Sequence, residues 1–212
     1  MIIGLTGTYC AGKNFISGIL EKKGLAVLDV DKLGHKAIES EKEIILERFG
    51  KTILRPDGSI DRKLLGALVF GKPKELEALE AIIHPAVNRE TSAWIESQHK
   101  HCVINAALLH YSSAFPVLEA LIVVEAPVLT RLFRAKKRDG LSWKALIKRF
   151  NSQKKFPSQY FRERTDIYRV KNSFFFGSAF FRCFGMKFIK KPEERLEDRI
   201  SEILSCLGCV KS

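Results

Sequence analysis

Residues 7–13 restrict the possible folds of this chain more than any other part of the sequence. They read Gly-Thr-Tyr-Cys-Ala-Gly-Lys and match the pattern G-x-x-x-x-G-K. The apolar residues 2–6 before them are typical of a buried parallel strand, and residues 14–23 after them have the length of a helix. Such a loop presents backbone N–H groups and the positive end of a helix dipole to an anion. We therefore predict a phosphate-binding loop whose Lys13 reaches the β- and γ-phosphates of a nucleotide.

The second predicted strand, residues 25–28, leads to two acids, Asp29 and Asp31. Strand, loop, helix and strand in this order predict a βαβ unit with parallel strands. In an extended chain both carboxylates would point to one face at the strand end beside the phosphate loop. A carboxylate there can accept the proton of an attacking hydroxyl and help to hold Mg²⁺. The alternative is that the aspartate only N-caps the following helix.

The remaining sequence alternates between helical and strand patterns. Predicted helices cover residues 63–70, 73–83, 85–98, 127–137, 142–153 and 193–207, and predicted strands cover residues 102–107 and 120–125. A turn is predicted at residues 55–58, and the last strand is either residues 166–172 or residues 186–190, with the first preferred. Together these patterns predict a three-layer α/β fold with a parallel central sheet and a helical insertion.

Basic residues are concentrated in one part of the chain. The chain holds 36 Lys and Arg against 24 Asp and Glu, a net charge of +12, and residues 131–171 alone hold fourteen basic and three acidic residues. One interpretation is a solvated helical surface. The other is a surface for polyanions, either nucleic acid or phosphorylated small molecules.

Several classes of protein are excluded by composition. No apolar run approaches the roughly 20 residues of a membrane-spanning helix, and the first residues lack the basic flank and cleavage site of a secretory signal. Five scattered cysteines do not form a disulfide framework, so we expect a reducing, cytoplasmic location. Cys206 and Cys209 have the spacing of half a zinc site without a second pair. The phenylalanine-rich residues 174–184 are interpreted as core-covering or interface surface, in preference to a membrane-surface patch.

Further motifs resemble the dephospho-coenzyme A kinase family. They are Leu28-Asp29-Val30-Asp31, Asp57-Gly58-Ser59-Ile60-Asp61-Arg62, His84-Pro85 and Arg138-Asp139-Gly140-Leu141-Ser142, which follow the phosphate loop in unbroken order up to residue 153. The resemblance implies transfer of the ATP γ-phosphate to the ribose 3′-hydroxyl of dephospho-coenzyme A, the last step of coenzyme A synthesis, with Mg²⁺. It also implies a P-loop kinase fold with a helical acceptor-binding insertion and a lid.

This resemblance divides the chain into three regions. The nucleotide-binding core would comprise residues 1–31, 101–130 and 166–212, the helical coenzyme-A-binding region residues 32–100, and the basic lid residues 131–165. ATP and dephospho-coenzyme A are the expected partners, and neither a membrane nor nucleic acid is expected. The sequence predicts no oligomeric state.

The resemblance also implies roles for individual residues. Asp31 would be the base for the 3′-hydroxyl, Lys13 would neutralise phosphate charge, and Arg138 would reach the transferring phosphoryl group from the lid. The implied ATP-binding residues are Gly7, Cys10, Ala11, Gly12, Lys13, Asn14 and Phe15. The implied acceptor-binding residues are Asp31, Arg62, His84, Leu108 and Leu109. His84 is equally compatible with structural packing, and Pro85 after it is suited to a helix start.

Two positions depart from the family pattern. Asn14 follows Lys13 where Ser or Thr would supply a hydroxyl to Mg²⁺, and Asn105 ends a strand where many members have an acid. The candidate metal ligands are therefore Asn14 and Asp29, with Asp31 as the other available acid. Two alternative functions stay open: another P-loop kinase acting on a nucleoside or nucleotide, and a catalytically impaired nucleotide-binding paralogue whose basic face binds nucleic acid.

Overall fold

The computed structural model describes residues 1–152, 166–172 and 192–209. The chain divides into two compact units. The first unit comprises Met1–Leu28 and Gln98–Ser212, and the second comprises Asp29–Ser97. The phenylalanine-rich residues 174–184 and the alternative last strand at residues 186–190 lie outside the described residues.

Strands and helices alternate along the described chain. The strands are β1 (Ile2–Gly7), β2 (Ala26–Asp29), β3 (Cys102–Asn105), β4 (Ala120–Glu125) and β5 (Asp166–Lys171). The helices are α1 (Lys13–Lys22), α2 (Val30–Ser40), α3 (Lys42–Phe49), α4 (Arg62–Val69), α5 (Pro73–Glu96), α6 (Val128–Asp139), α7 (Trp143–Ser152) and α8 (Pro192–Cys206). Short 3₁₀ turns lie at Lys51–Ile53, Leu109–Tyr111 and Phe115–Val117. None of these helices is long and apolar enough to cross a membrane.

The five strands form one sheet in the order β2-β3-β1-β4-β5. β1 pairs in parallel with β3 and with β4, and β4 pairs in parallel with β5. Because parallel strands end at the same edge of a sheet, the ends of β1, β4 and β5 lie side by side. The preferred position of the last strand, residues 166–172, is therefore correct to within one residue.

The core of the first unit includes the strand and the helix on either side of the phosphate loop. Ile3 and Leu5 of β1 are fully buried, and they belong to one cluster with Ile16 and Leu20 of α1 and Ile200 of α8. Fully burying a side chain of this size contributes about 1.5–3 kcal/mol. The strand before the loop and the helix after it are thus held in one core.

The second unit is a helical body with a separate core. Its buried apolar residues are Ile45, Ile53, Ile60, Leu65, Val69 and Leu79. The predicted turn at residues 55–58 is present, with the Gly58 N–H donating to the Arg55 carbonyl at 2.9 Å. Gly58 has a φ of +80°, a left-handed conformation that favours glycine.

The predicted helix boundary at Pro85 is wrong. Helix α5 runs without interruption from Pro73 to Glu96, with Pro85 inside it. Proline has no N–H to donate and so loses one helical hydrogen bond. Ala86 and Val87 are buried directly after it, and α5 packs against α2 and α4. Packing on both sides of the proline therefore outweighs its local effect.

The predicted placement of the two acids on one strand face is also wrong. Strand β2 ends at Asp29, and Asp31 lies in the first turn of α2. The Asp29 carboxylate accepts a hydrogen bond from the Lys32 N–H at 3.3 Å and N-caps the helix. The chain leaves the extended conformation two residues earlier than expected because Asp29 makes the cap.

Candidate active site

The loop between β1 and α1 has the closed geometry of an anion-binding turn. The Ala11 N–H donates to the Thr8 carbonyl at 2.9 Å, and the Phe15 N–H donates to the Gly12 carbonyl at 3.0 Å. Helix α1 then begins at Lys13. The first N–H groups of a helix have no partner within the helix, and together with the helix dipole they attract phosphate.

At two positions of the loop, neighbouring atoms leave no room for a side chain, so glycine is required. A Cβ at Gly7 would lie 2.7 Å from the Val124 carbonyl oxygen of β4. A Cβ at Gly12 would overlap the side-chain amide of Asn172, and Gly12 also has a φ of +98°. Cys10 has a φ of +60°, which is uncommon for a residue other than glycine. The loop backbone is therefore held in a conformation that few other sequences adopt.

Arg134 and Asn172 support this loop from outside. The Arg134 Nη1 donates to the Ala11 carbonyl at 3.0 Å, and the Asn172 Nδ2 donates to the same carbonyl at 2.8 Å. Arg134 Nη2 also donates to Asn172 Oδ1 at 3.2 Å. Asn172 is buried, and its own N–H donates to the Glu125 carbonyl at 2.7 Å. These contacts turn loop carbonyl dipoles toward the protein, which suits a loop that must bind an anion.

A second cluster joins the loop to α6 and α7. The Tyr9 hydroxyl donates to the Asp139 carboxylate. Arg138 donates to the same carboxylate through Nε at 2.7 Å and Nη2 at 3.1 Å. The Arg149 Nη1 donates to the Tyr9 oxygen at 3.3 Å and lies 3.7 Å from the Asp139 carboxylate. The predicted catalytic Arg138 is therefore next to the phosphate loop in the first unit.

The charges of this cluster follow from its contacts. The hydrogen bond from Arg138 is the main reason why the pKa of Asp139 lies below its ordinary value. Burial is the main cause of a raised pKa at Tyr9, and the bond to Asp139 raises the pKa further. Burial likewise raises the pKa of the Cys10 thiol, although Arg138 acts in the opposite direction. At neutral pH the carboxylate is ionised, whereas the phenol and the thiol are protonated.

The other predicted residues of the first unit differ in exposure. Gly7 and Ala11 are buried, whereas Asn14 and Phe15 are exposed in the first turn of α1. The predicted acceptor-binding residues Leu108 and Leu109 also differ. Leu108 is exposed, whereas Leu109 is fully buried, and its Cδ2 would lie 2.7 Å from a Cβ at Gly4. Leu109 therefore supports the sheet by packing.

The remaining predicted acceptor residues belong to the second unit. Asp31 is exposed in the first turn of α2, and Arg62 is exposed at the first residue of α4. His84 is half-buried within α5, before Pro85. Each lies on a different helix. Their assembly into one acceptor site remains a prediction, as does the approach of Asp31 to Lys13.

The oxygen donors present are compatible with Mg²⁺. Among the described residues no three His, Cys, Asp or Glu side chains are grouped as a metal site. Mg²⁺ on a nucleotide needs only one or two protein ligands in addition to phosphate and water. Asn14 offers an exposed amide, and Asp29 has a carboxylate that also caps α2. At the end of β3 the Oδ1 of buried Asn105 accepts no hydrogen bond from any described residue, which leaves an acceptor suited to metal-bound water.

Sequence reasoning assigned no role to Tyr9, Arg134, Asp139 or Asn172. One available signal was the spacing of Arg134 and Arg138, which places them on one face of α6. Another was the position of Asn172 at the carboxyl end of a strand, where ligand-binding residues are common. Arg134 is half-buried and hydrogen-bonded to main-chain oxygens. The basic segment is thus more than a solvated surface.

Comparison with known proteins places these features in a family. A family model for dephospho-CoA kinase matches residues 1–169. The dephospho-CoA kinase of Treponema denticola is 37% identical over 191 residues, which cover 84% of each chain. That of Anaeromyxobacter dehalogenans is 40% identical over 147 residues, covering 66% of this chain and 70% of its own.

Solved structures agree with the fold. The Thermus thermophilus protein TT1252 has a TM-score of 0.74 at 28% identity and covers 100% of this chain and 98% of its own. Dephospho-CoA kinase from Campylobacter jejuni has a TM-score of 0.60 at 21% identity, covering 97% of this chain and 96% of its own. Shikimate kinase from Bacteroides thetaiotaomicron has a TM-score of 0.53 at 15% identity, covering 97% and 98%. The predicted α/β P-loop kinase fold with a parallel central sheet is confirmed.

Proposed function

We propose that this chain, which belongs to the dephospho-CoA kinase family, transfers the γ-phosphate of ATP to the ribose 3′-hydroxyl of dephospho-coenzyme A. The products are coenzyme A and ADP. The family match identifies the chain as an ATP-dependent phosphotransferase. The structural observation that carries the proposal is the closed phosphate loop at the end of central strand β1, supported by Arg134 and Asn172.

Lys13 and Arg138 are the proposed cations for the transferred phosphoryl group. Phosphoryl transfer has a loose transition state with negative charge on the non-bridging oxygens, so catalysis depends mainly on positioning and on positive charge. Lys13 follows the loop directly as the first residue of α1. Arg138 lies beside the loop residue Tyr9, with its guanidinium carbon 5.1 Å from the ring centroid. Both positions support a role at the donor phosphates.

Asp31 is the proposed general base. Its carboxylate is exposed in the first turn of α2, where a bound acceptor can be reached. A base in hydrogen-bonding distance of the 3′-hydroxyl would accept its proton as the oxygen attacks the γ-phosphorus. Asp29 is less exposed and makes the N-cap of α2. Of the two acids, the exposed one is the better candidate for proton transfer.

Asn14 is the proposed protein ligand for Mg²⁺, with Asp29 as a second candidate. Held there, Mg²⁺ would supply positive charge to the phosphate oxygens of the nucleotide. The side-chain oxygen of Asn14 can occupy the place of the usual hydroxyl, although its side chain is one atom longer. The Asn105 amide can orient metal-bound water from the end of β3.

The helical region of residues 32–100 is the proposed binding region for the coenzyme A part of the acceptor. Arg62 and His84 supply polar groups there, and Leu108 offers an exposed apolar contact from the first unit. The basic residues 131–165 are the proposed lid. Because two polyphosphate ligands repel each other, a lid of positive charge favours their joint binding. The proposed location of the reaction is the cytoplasm.

A competition among acceptors tests the proposal. We expect kcat/KM for dephospho-coenzyme A, with ATP and Mg²⁺, to exceed that for every nucleoside monophosphate in a panel by at least about a hundredfold. The Lys13→Ala variant serves as the inactive control. Preference for a monophosphate would indicate a nucleotide kinase. Salt-sensitive nucleic-acid binding without any phosphate transfer would indicate the impaired paralogue.

A further inference from the structure

Tyr9 is the point at which the phosphate loop meets two helices. Its ring packs edge-on against Phe150 of α7, with ring centroids 5.5 Å apart. The guanidinium carbons of Arg138 and Arg149 lie 5.1 Å and 5.8 Å from the Tyr9 ring centroid. Cations at this distance from an aromatic face are attracted to it. Tyr9 therefore contacts both α6 and α7, and on α6 it contacts the last turn, where Arg138 lies.

Hydrogen bonds extend this contact to the Arg138 guanidinium. The Tyr9 hydroxyl donates to Asp139, and Asp139 accepts from Nε and Nη2 of Arg138 at 2.7 Å and 3.1 Å. A two-point contact between a guanidinium and a carboxylate fixes the plane of the arginine as well as its distance. The Arg149 Nη1 donates to the Tyr9 oxygen at 3.3 Å and restricts the phenol from the other side.

The same contacts leave part of the Arg138 guanidinium for a ligand. A guanidinium has five N–H donors, of which Asp139 takes one from Nε and one from Nη2. Within the described residues Nη1 donates to no partner. Arg138 also stays more than half exposed. The guanidinium can therefore bind phosphate oxygens through Nη1 while Asp139 still accepts from Nε and Nη2.

We propose that Tyr9 and Asp139 are positioning residues that hold the Arg138 guanidinium beside the phosphate loop before the acceptor binds. The inference rests on the proposed function and names two residues that act through Arg138. A cation already in place stabilises the transition state without reorganisation, whereas a free arginine must first lose its side-chain freedom.

The Tyr9→Phe variant tests whether the Tyr9 hydroxyl helps to hold the Arg138 guanidinium. It keeps the ring and its contacts with Phe150 and the two guanidinium groups, and it removes the hydroxyl that donates to Asp139 and accepts from Arg149. We expect kcat to fall about tenfold, with the KM for ATP and the melting temperature nearly unchanged. Asp139→Asn is expected to lower kcat by at least the same factor. The double variant should be no slower than Asp139→Asn, because both residues act through one guanidinium.

Tyr168→Phe is the matched control. Tyr168 lies in β5 of the same unit and packs against the core, so loss of its hydroxyl tests the general effect of this substitution. We expect it to leave kcat unchanged. If Tyr9→Phe behaves like this control, the inference is wrong. It is equally wrong if either variant raises kcat, or if kcat, ATP affinity and melting temperature fall together.

Chemical rescue gives an independent readout. In Arg138→Ala, added guanidinium ion should restore part of the lost rate, because Tyr9 and Asp139 still form the receiving site. In Arg138→Ala combined with Asp139→Asn, we expect no restoration. Equal rescue in both would overturn the inference. Failure of the proposed function is seen separately, since the unmodified protein would then transfer no phosphate to dephospho-coenzyme A.

Discussion

The predicted site residues of the two units differ in their contacts with the rest of the protein and in their exposure. In the first unit the phosphate loop is held by a buried strand, a helix and the side chains of Arg134 and Asn172. In the second unit the predicted acceptor residues lie on three helices, and Asp31 and Arg62 are exposed. The phosphate loop is therefore held by contacts within the protein, whereas the predicted acceptor residues Asp31 and Arg62 are exposed to solvent.

This difference predicts that substitutions in the two units affect different quantities, ATP affinity in the first unit and the rate of phosphate transfer in the second. Residues that support the phosphate loop should affect ATP affinity first, because they set the direction of backbone groups. An exposed base should affect the rate first, because it acts only when the hydroxyl attacks. The contrast between Asn172 and Asp31 is thus a measurable property of the enzyme.

The largest expected effect is that of Asp31→Asn. Loss of a general base lowers kcat by about 10²–10⁴-fold, and we expect the dissociation constant for ATP to stay within about twofold. Glu43→Gln is the matched control, because Glu43 lies in the first turn of α3 as Asp31 lies in that of α2. Rapid-quench kinetics measures the rate of phosphate transfer, and calorimetric titration measures the dissociation constant for ATP. A near-normal rate would exclude Asp31 as the base.

Asn172→Ala is expected to show the reverse pattern. It removes the Nδ2 donor to the Ala11 carbonyl and the Oδ1 acceptor of Arg134. A hydrogen bond within a protein typically contributes about 0.5–1.5 kcal/mol, so loss of these two bonds should lower ATP affinity about tenfold. Asn151→Ala, at an exposed position of α7, is the control. If Asn172→Ala changes only kcat, the distinction between the two units fails.

Local patterns predicted much of the first unit. The strand before residues 7–13 and the helix after them are both present, because glycine spacing and apolar runs act over a few residues. The contact between Arg134 and Asn172 joins positions 38 residues apart, and no short pattern contains that information. For the same reason no local pattern predicts the hydrogen bond between Tyr9 and Asp139, which are 130 residues apart.

The second unit shows where local rules fail. Pro85 predicts a boundary, yet the buried residues after it keep α5 continuous. Asp29 and Asp31 predict one strand face, yet the cap made by Asp29 starts the helix first. In both cases a contact made by neighbouring residues outweighs a backbone preference. Exposed residues such as Arg62 carry little structural information, so their roles depend on the family resemblance alone.

Asn14→Ser is expected to have a moderate effect on the donor side. The hydroxyl matches the usual Mg²⁺ ligand, so we expect turnover to rise by a few fold and the Mg²⁺ concentration for half-maximal rate to fall. A magnesium titration of kcat/KM measures this effect. Unchanged turnover and Mg²⁺ dependence would show that position 14 is not limiting.

The smallest expected effect concerns the stability of the second unit. The Asp61 carboxylate N-caps α4 by accepting from the Lys63 and Leu64 N–H groups, and these bonds hold its pKa below the ordinary value. Asp61→Ala should lower the melting temperature by about 2–4 °C at neutral pH. Because the folded-state pKa is lowered, this contribution is complete above pH of about 4 and is lost as the pH falls through the lowered pKa.

Thermal unfolding at several pH values checks this sign, with Glu77→Ala on exposed α5 surface as the control. The difference between Asp61→Ala and the unmodified protein should shrink as the medium becomes acidic. A difference that grows in acid would contradict the cap. ATP affinity should not respond to either variant, since both lie in the second unit.

A single-turnover reaction followed by phosphorus NMR identifies the atom that receives the phosphoryl group. The enzyme is mixed with ATP, Mg²⁺ and dephospho-coenzyme A, and the position of the new phosphate on the product is read from its coupling to the ribose. We expect one new phosphomonoester on the 3′-oxygen, formed in equal amount to ADP. Formation of ADP without a phosphorylated acceptor, or a phosphate at any other oxygen, would contradict this expectation.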